Sequence, residues 1–81
     1  MAEIHLWGSL ADAAGGQGVV EIDARDIREL FRKLAERYPA TQAFIEQGVA
    51  VSIDGTIYRD DWSQALPPGA EVFLLPRIAG G

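Results

Sequence analysis

The C-terminal segment is the part of this 81-residue sequence whose residue types best suit chemistry. It reads Pro76-Arg77-Ile78-Ala79-Gly80-Gly81, so the side chains shrink until none remains. The five residues beyond Pro76 can extend about 17 Å. The two glycines make the tip thin enough to enter a narrow tunnel with the carboxylate of Gly81 in front. The alternative is an idle, frayed end. The segment 76–81 is thus predicted to be a flexible Gly-Gly tail on a single domain of residues 1–75.

Few other side chains offer chemistry. The sequence has no cysteine, which excludes disulfides, thiolate nucleophiles and cysteine-ligated metals, and His5 is its one histidine. Without evident ligand partners, His5 is predicted to be a solvated surface residue. The adjacent Asp60 and Asp61 are predicted to be solvated or capping carboxylates. We therefore predict no metal site and no cofactor bound by the chain itself.

Composition narrows the function classes further. The chain has 12 acidic and 7 basic residues, a formal charge of −5, which repels phosphate backbones and argues against nucleic-acid binding. No apolar run approaches the roughly 18 residues of a membrane span. Residues 1–9 lack the features of a secretory signal, so a cytoplasmic location is expected. Because few of its side chains are suited to catalysis, a binding or carrier role is favoured over an independent enzyme.

The elements that must hold the tail follow from apolar periodicity. Apolar patterning predicts strands over residues 3–7, 19–23, 49–53, 56–58 and 71–75, and it alternates with period two in the first and third of them. A loop or short turn is predicted over residues 8–18, a short helical turn over residues 41–47, and a hairpin turn at Asp54-Gly55.

One long helix is predicted between the second and third strands. Asp26 can cap it, Glu29 completes a capping box, and Pro39 ends it. The order β-β-α-β-β-β with a single long helix predicts an α+β fold. Residues 72–75 are apolar on both faces, which is typical of a strand in the middle of a sheet. The last strand can reach the middle of the sheet only by lying beside the first strand. That arrangement is the ubiquitin-like β-grasp, a mixed sheet of four to five strands packed against one main helix.

Trp7 is the second candidate for function. Alternation places it on the face of Glu3 and His5, where water is expected, and Leu75 shares a face with Phe73. An exposed apolar cluster on a soluble protein indicates a contact surface. The alternative is that Trp7 folds over the sheet edge or packs under the glycine-rich loop.

Three segments carry a resemblance to a known family. The chain resembles, over essentially its full length, the MoaD/ThiS family of ubiquitin-like sulfur carriers. The segments that carry the resemblance are EVFLLPRIAGG, EIHLWGSLADAAGG and DGTIYRDDWSQ. The length and the full helix are closer to MoaD, the small subunit of molybdopterin synthase, and the third segment is closer to ThiS. The resemblance implies that Gly81, preceded by Gly80, is adenylated and converted to a thiocarboxylate. It also implies partner contacts through Trp7, Ile57, Leu75, Arg77 and Ile78.

The resemblance implies several protein partners. An adenylyltransferase of the MoeB/ThiF type would use ATP to activate the terminus, a persulfide would donate sulfur, and the large subunit of molybdopterin synthase or a thiazole synthase would accept it. Molybdopterin biosynthesis is the leading pathway, thiamine thiazole synthesis is the second, and amino-acid or other thiolation pathways stay open. Whether the chain counts as an enzyme is open: it is a carrier without catalysis of its own, or the small subunit of a synthase. A protein modifier conjugated through Gly81 and a plain interaction module with an idle Gly-Gly end are the rival classes.

Overall fold

The structure, a computed structural model, describes residues 1–59 and 61–76. Five strands form one sheet in the order β2-β1-β5-β3-β4. The strands are β1 Ala2–His5, β2 Val19–Ile22, β3 Val49–Ile53, β4 Thr56–Tyr58 and β5 Glu71–Pro76. The helices are α1 Gly8–Ala13, α2 Ile27–Arg37 and α3 Gln42–Gln47, with a 3₁₀ turn at Pro39–Thr41. The mixed five-stranded sheet and its main helix confirm the predicted α+β, ubiquitin-like β-grasp.

Strand β5 lies at the centre of the sheet, as its two apolar faces predict. It pairs in parallel with β1 and antiparallel with β3. Val72 and Leu74 are fully buried on the core side, and Ile4 of β1 is buried beside them. The last strand and the first strand are therefore direct neighbours.

Helix α2 covers the core side of the sheet. The Asp26 carboxylate accepts a hydrogen bond from the Glu29 amide at 2.8 Å and caps the helix as predicted. The Glu29 carboxylate in turn accepts a hydrogen bond from the Arg25 amide at 2.9 Å, one residue before the cap. The apolar stripe of the helix faces the sheet and buries Ile27, Leu30, Phe31 and Leu34.

Two predictions near the N-terminus are wrong. Residues 8–18 are not a continuous loop, because Gly8–Ala13 form helix α1 and bury Leu10. The first strand also ends at His5, and Trp7 is the N-cap residue of α1. The Trp7 carbonyl accepts hydrogen bonds from the amides of Leu10 and Ala11. Gly8 has the positive φ of 50° that the turn from strand to helix requires.

The remaining elements follow the predicted pattern. The hairpin turn between β3 and β4 has positive φ at Asp54 (47°) and Gly55 (93°), as the Asp-Gly signal predicts. Helix α3 ends at Gly48, which has a φ of 109°. None of the helices in residues 1–59 and 61–76 combines the length and apolar character that a membrane crossing requires.

The buried stripe of α2 gives a test of the core. Leu30 has no exposed surface, so Leu30→Ala should lower the free energy of unfolding by about 2–5 kcal/mol. Glu36→Ala on the exposed side of the same helix is the matched control, expected within about 0.5 kcal/mol of wild type. Urea unfolding of both variants measures this. Equal stabilities would show that the stripe does not face the core.

Candidate docking surface and reactive terminus

The face of the sheet opposite α2 is open, with large apolar side chains at its surface. Ile57 on β4 is 54% exposed, Val19 on β2 is 45% exposed and Leu75 on β5 is 36% exposed. Strand alternation puts the residues between the buried ones on this face. This open face is therefore a candidate contact surface.

A row of side chains crosses all five strands on this open face. His5 is the register partner of Val19 on one side and Phe73 on the other. Ser52 is the partner of both Phe73 and Ile57. The His5 and Phe73 rings stack, with centroids 4.4 Å apart and planes at 16°. The row therefore presents a flat aromatic centre with aliphatic ends.

Trp7 and Leu75 lie beyond this row at the same end of the face. Each follows a row member by two residues, Trp7 after His5 and Leu75 after Phe73. The two strands run parallel, so both steps go in the same direction. Trp7 keeps an extended backbone and is 57% exposed, so it is not packed under the glycine-rich loop. Trp7, Ile57 and Leu75 are named the apolar patch below; their role in partner binding stays a prediction.

A second row, which the sequence pattern did not reveal, consists of glutamates. Glu3 on β1 is the register partner of Glu21 on β2 and of Glu71 on β5, so three like charges stand on neighbouring strands. We call Glu3, Glu21 and Glu71 the acidic row. Like charges directly opposite each other destabilise a sheet. Only the strand register brings these residues together, since they are far apart in the sequence.

His5 is not the isolated, solvated histidine that was expected. Its Nε2 lies 2.8 Å from Glu3 Oε1 and 3.9 Å from Glu71 Oε2, and its side chain is only 22% exposed. One imidazole nitrogen and two carboxylate oxygens lie within 4.8 Å of one another and could hold a divalent transition metal. The geometry thus brings together a ligand set that residue spacing alone does not indicate.

Other polar candidates have structural partners. Asp61 Oδ1 accepts hydrogen bonds from the Ser63 amide at 3.2 Å and the Ser63 hydroxyl at 2.6 Å, as expected for a capping carboxylate. Its neighbour Asp60 lies outside the described residues. Trp62 meets Phe31 edge-on at 4.9 Å and packs its loop on the core helix.

Three basic side chains of α2, those of Arg32, Lys33 and Arg37, also have partners inside the domain. Arg32 contacts Glu36 at 3.0 Å and Glu29 at 3.7 Å. Arg37 donates to the backbone carbonyl of Glu21 at 3.1 Å. The Lys33 ammonium donates to the carbonyl of Asp23. These contacts fix all three side chains within the domain.

The residues of the predicted reactive tail lie outside the described part of the chain. These are Arg77, Ile78, Gly80 and Gly81. The last described residue, Pro76, still pairs with Val49 in β5. The chemistry of the terminal carboxylate and the boundary between residues 75 and 76 therefore stay predictions.

The acidic row predicts an unusual effect of charge removal. Glu3→Gln should leave the protein as stable or more stable by a few tenths of a kcal/mol at low salt, because it relieves repulsion from Glu21 and Glu71. The gain should shrink at 1 M salt, where screening is strong. Glu36→Gln, which removes the partner of Arg32, is the control and should show no gain. Urea unfolding at two salt concentrations measures both. A loss above about 1 kcal/mol in Glu3→Gln would contradict the predicted repulsion.

Solved structures share this architecture. Small archaeal modifier protein 1 from Methanosarcina acetivorans is 20% identical with a TM-score of 0.82, covering 99% of this chain and 95% of that chain. A chain of the Amycolatopsis orientalis BexX/CysO complex is 17% identical with a TM-score of 0.82, covering 100% of both chains. A chain of the complex of subunits 1 and 2 of molybdopterin-converting factor from Helicobacter pylori is 21% identical with a TM-score of 0.68, covering 99% and 97%. At these identities the likeness establishes the fold.

The sequence itself supplies the family. No curated protein gives a significant match. The ThiS family model, however, matches residues 4–81, which include the open sheet face, the central strand and the Gly80-Gly81 ending. The chain has the fold of the ubiquitin-like sulfur carriers and belongs to the ThiS family.

Proposed function

We propose that this chain is a sulfur carrier whose terminal Gly81 is adenylated and then converted to a thiocarboxylate. The observation that carries the proposal is the ThiS family match over residues 4–81, which extends to the Gly-Gly ending. The ending follows β5, the central strand, by a few residues. A cytoplasmic location, where ATP and the partner enzymes are at hand, is part of the proposal.

The proposed chemistry begins with a poor acyl donor. A free carboxylate lacks a leaving group, so a separate activating enzyme of the MoeB/ThiF type joins it to the AMP part of ATP and releases pyrophosphate. The terminal sulfur of a persulfide then displaces AMP to give an acyl disulfide. A second thiol attacks the donor's sulfur in that disulfide, forms a new disulfide with the donor, and so releases the Gly81 thiocarboxylate. The carrier contributes a thin, reactive end, and the partner supplies the electrostatic stabilisation.

The open sheet face supports the partner half of the proposal. The apolar patch exposes a tryptophan, an isoleucine and a leucine, a combination suited to an interface centre. Two of the similar folds are known as complexes, BexX/CysO and subunits 1 and 2 of molybdopterin-converting factor. We propose that the patch, together with Arg77 and Ile78, contacts first the activating enzyme and then the sulfur acceptor.

Molybdopterin synthesis is the acceptor pathway that we favour. The likeness to molybdopterin-converting factor supports it, and the chain would then be the small subunit of the synthase. The ThiS family match keeps thiazole synthesis for thiamine as the second pathway.

A second candidate function is protein modification. The similar fold from Methanosarcina acetivorans is named a small archaeal modifier protein, which favours conjugation of Gly81 to protein lysines. The two functions share adenylation and differ afterwards: one product is a thiocarboxylate and the other is an isopeptide bond.

The terminus provides the most direct test of the proposed function. Deletion of Gly81 should abolish ATP-dependent thiocarboxylation, and Gly81→Ala should reduce its rate, on the order of 100-fold for a reacting atom misplaced by about 1 Å. Both variants should melt like wild type, because Gly81 is five residues beyond the last strand. Incubation with the activating enzyme, ATP and a persulfide donor, read by intact mass, detects a gain of about 16 Da when oxygen is replaced by sulfur. Full conversion of the deletion variant would eliminate Gly81 as the reactive group.

The apolar patch gives an independent prediction. Trp7→Ala should weaken binding to the activating enzyme by about 2 kcal/mol or more, roughly 30-fold, because central aromatic anchors dominate interfaces. Its melting temperature should change little, since more than half of the side chain is exposed. Glu36→Ala, on the exposed side of α2 and away from the open face, is the control. Normal affinity in a partly unfolded Trp7→Ala would mean that Trp7 serves the core instead.

A further inference from the structure

The acidic row is an arrangement that the fold itself does not need. Glu3 stands directly between Glu21 and Glu71 on adjacent strands, where like charges are expected to repel one another, and the His5 imidazole contacts Glu3 and Glu71. Within residues 1–59 and 61–76, no lysine or arginine lies within salt-bridge distance of these three carboxylates. Local violations of sheet rules tend to occur where a surface has another role.

We infer that the open face docks on a protein surface carrying lysine or arginine side chains that meet the acidic row, beside apolar side chains that meet the apolar patch. This inference rests on the proposed function, because the partner to which it applies is the activating enzyme. It goes further by assigning the chemistry of the partner surface and the direction in which the carrier lies on it.

The direction follows from the strand geometry. The acidic row precedes the row of His5 and Phe73 by two residues and precedes Leu75 by four. At about 3.3 Å per residue, the glutamates lie roughly 7 Å and 13 Å from those positions. The parallel pairing of β1 and β5 keeps this order on both strands. Charge is thus concentrated at one end of the face, and exposed apolar side chains lie at the end that leads to Pro76.

The separation of charged and apolar side chains can fix the orientation of the bound carrier, which an apolar patch alone cannot do. Apolar contact is non-directional, so a flat patch can meet its partner in more than one rotation. Electrostatic complementarity fixes register and rejects wrong orientations. With cations under the acidic row, only one orientation directs the end of β5 and the tail that follows it toward the apolar part of the partner's surface.

A basic protein surface fits the row better than a single metal ion does. Neighbouring strands lie about 4.8 Å apart, so the carboxylates from Glu21 to Glu71 span roughly 10 Å across three strands. One ion can bind Glu3, His5 and Glu71, but it leaves Glu21 without a counter-charge. Several lysine or arginine side chains can meet all three glutamates.

The test uses the activating enzyme that converts the wild-type chain to its thiocarboxylate. ATP–pyrophosphate exchange gives kcat and KM for wild type and for the double variant E3Q/E71Q at about 20 mM and 300 mM salt. We expect KM of the double variant to rise about 10-fold at low salt, kcat to stay within two-fold, and the salt dependence of KM to flatten. The matched control E36Q/E46Q removes the same charge from exposed positions of α2 and α3 and should keep the wild-type KM.

The possible outcomes separate the explanations. An equal rise in KM for E36Q/E46Q would show that net charge matters and would overturn the inference. So would a wild-type KM that reaches the E3Q/E71Q value after the carrier is stripped with EDTA and desalted, because a metal ion would then occupy the row. Conversion with an unchanged KM for E3Q/E71Q rejects the inference alone. Failure of every activating enzyme to convert the wild-type chain rejects the proposed function and the inference together.

Discussion

The parallel pairing of β1 with β5 is the constraint on which the rest of the molecule depends. It joins the first and last strands of the described residues, so the sheet cannot be completed until the chain has been made as far as β5. It gives β5 a hydrogen-bonded neighbour on each side and explains why Val72 and Leu74 are fully buried. It also sets the order of charged and apolar residues on the open face, because the two strands run in one direction. The chain passes to residue 77 from the middle of the sheet.

The two faces of the sheet differ in what they contact. On one face, α2 and the buried strand residues form the core, which in a domain of this size is the main source of a small net stability. On the other face, the strands present aromatic, aliphatic and acidic side chains to the surroundings. A large-to-small substitution on the first face is expected to act through folding, whereas one on the second mainly changes the side chains that the sheet presents. The separation allows the contact surface to change without rebuilding the core.

Much of the fold could be predicted from the sequence because its signals are local. Asp26 and Pro39 bound the helix, Asp54-Gly55 marks the hairpin, and the alternation in β3 identifies its buried face. The errors in the predicted element boundaries arise where one residue fits the pattern of two neighbouring elements. Trp7 fits the alternation of β1, but the alanine-rich segment after it favours a helix, and Trp7 became the helix cap.

The candidate site could be predicted only in part. Exposure of Trp7, Ile57 and Leu75 follows from alternation, which the sequence contains. The acidic row and the partners of His5 follow from register, which is set by pairing between distant strands. No spacing in the sequence places Glu71 beside Glu3, so His5 looked isolated when it was not.

The contacts of Arg37 and Lys33 with β2 have a consequence for solubility. Strand β2 is an edge of the sheet, and an exposed edge offers backbone groups to which a second chain can add. Arg37 binds the carbonyl of Glu21, and Lys33 binds the carbonyl of Asp23 just after the strand. The helix therefore occupies acceptors that an incoming strand would use and places positive charge along that edge. The opposite edge, β4, is only three residues long and gives little length for pairing. Both borders of the sheet thus resist the edge-to-edge growth that leads to fibrils, while the open face stays available.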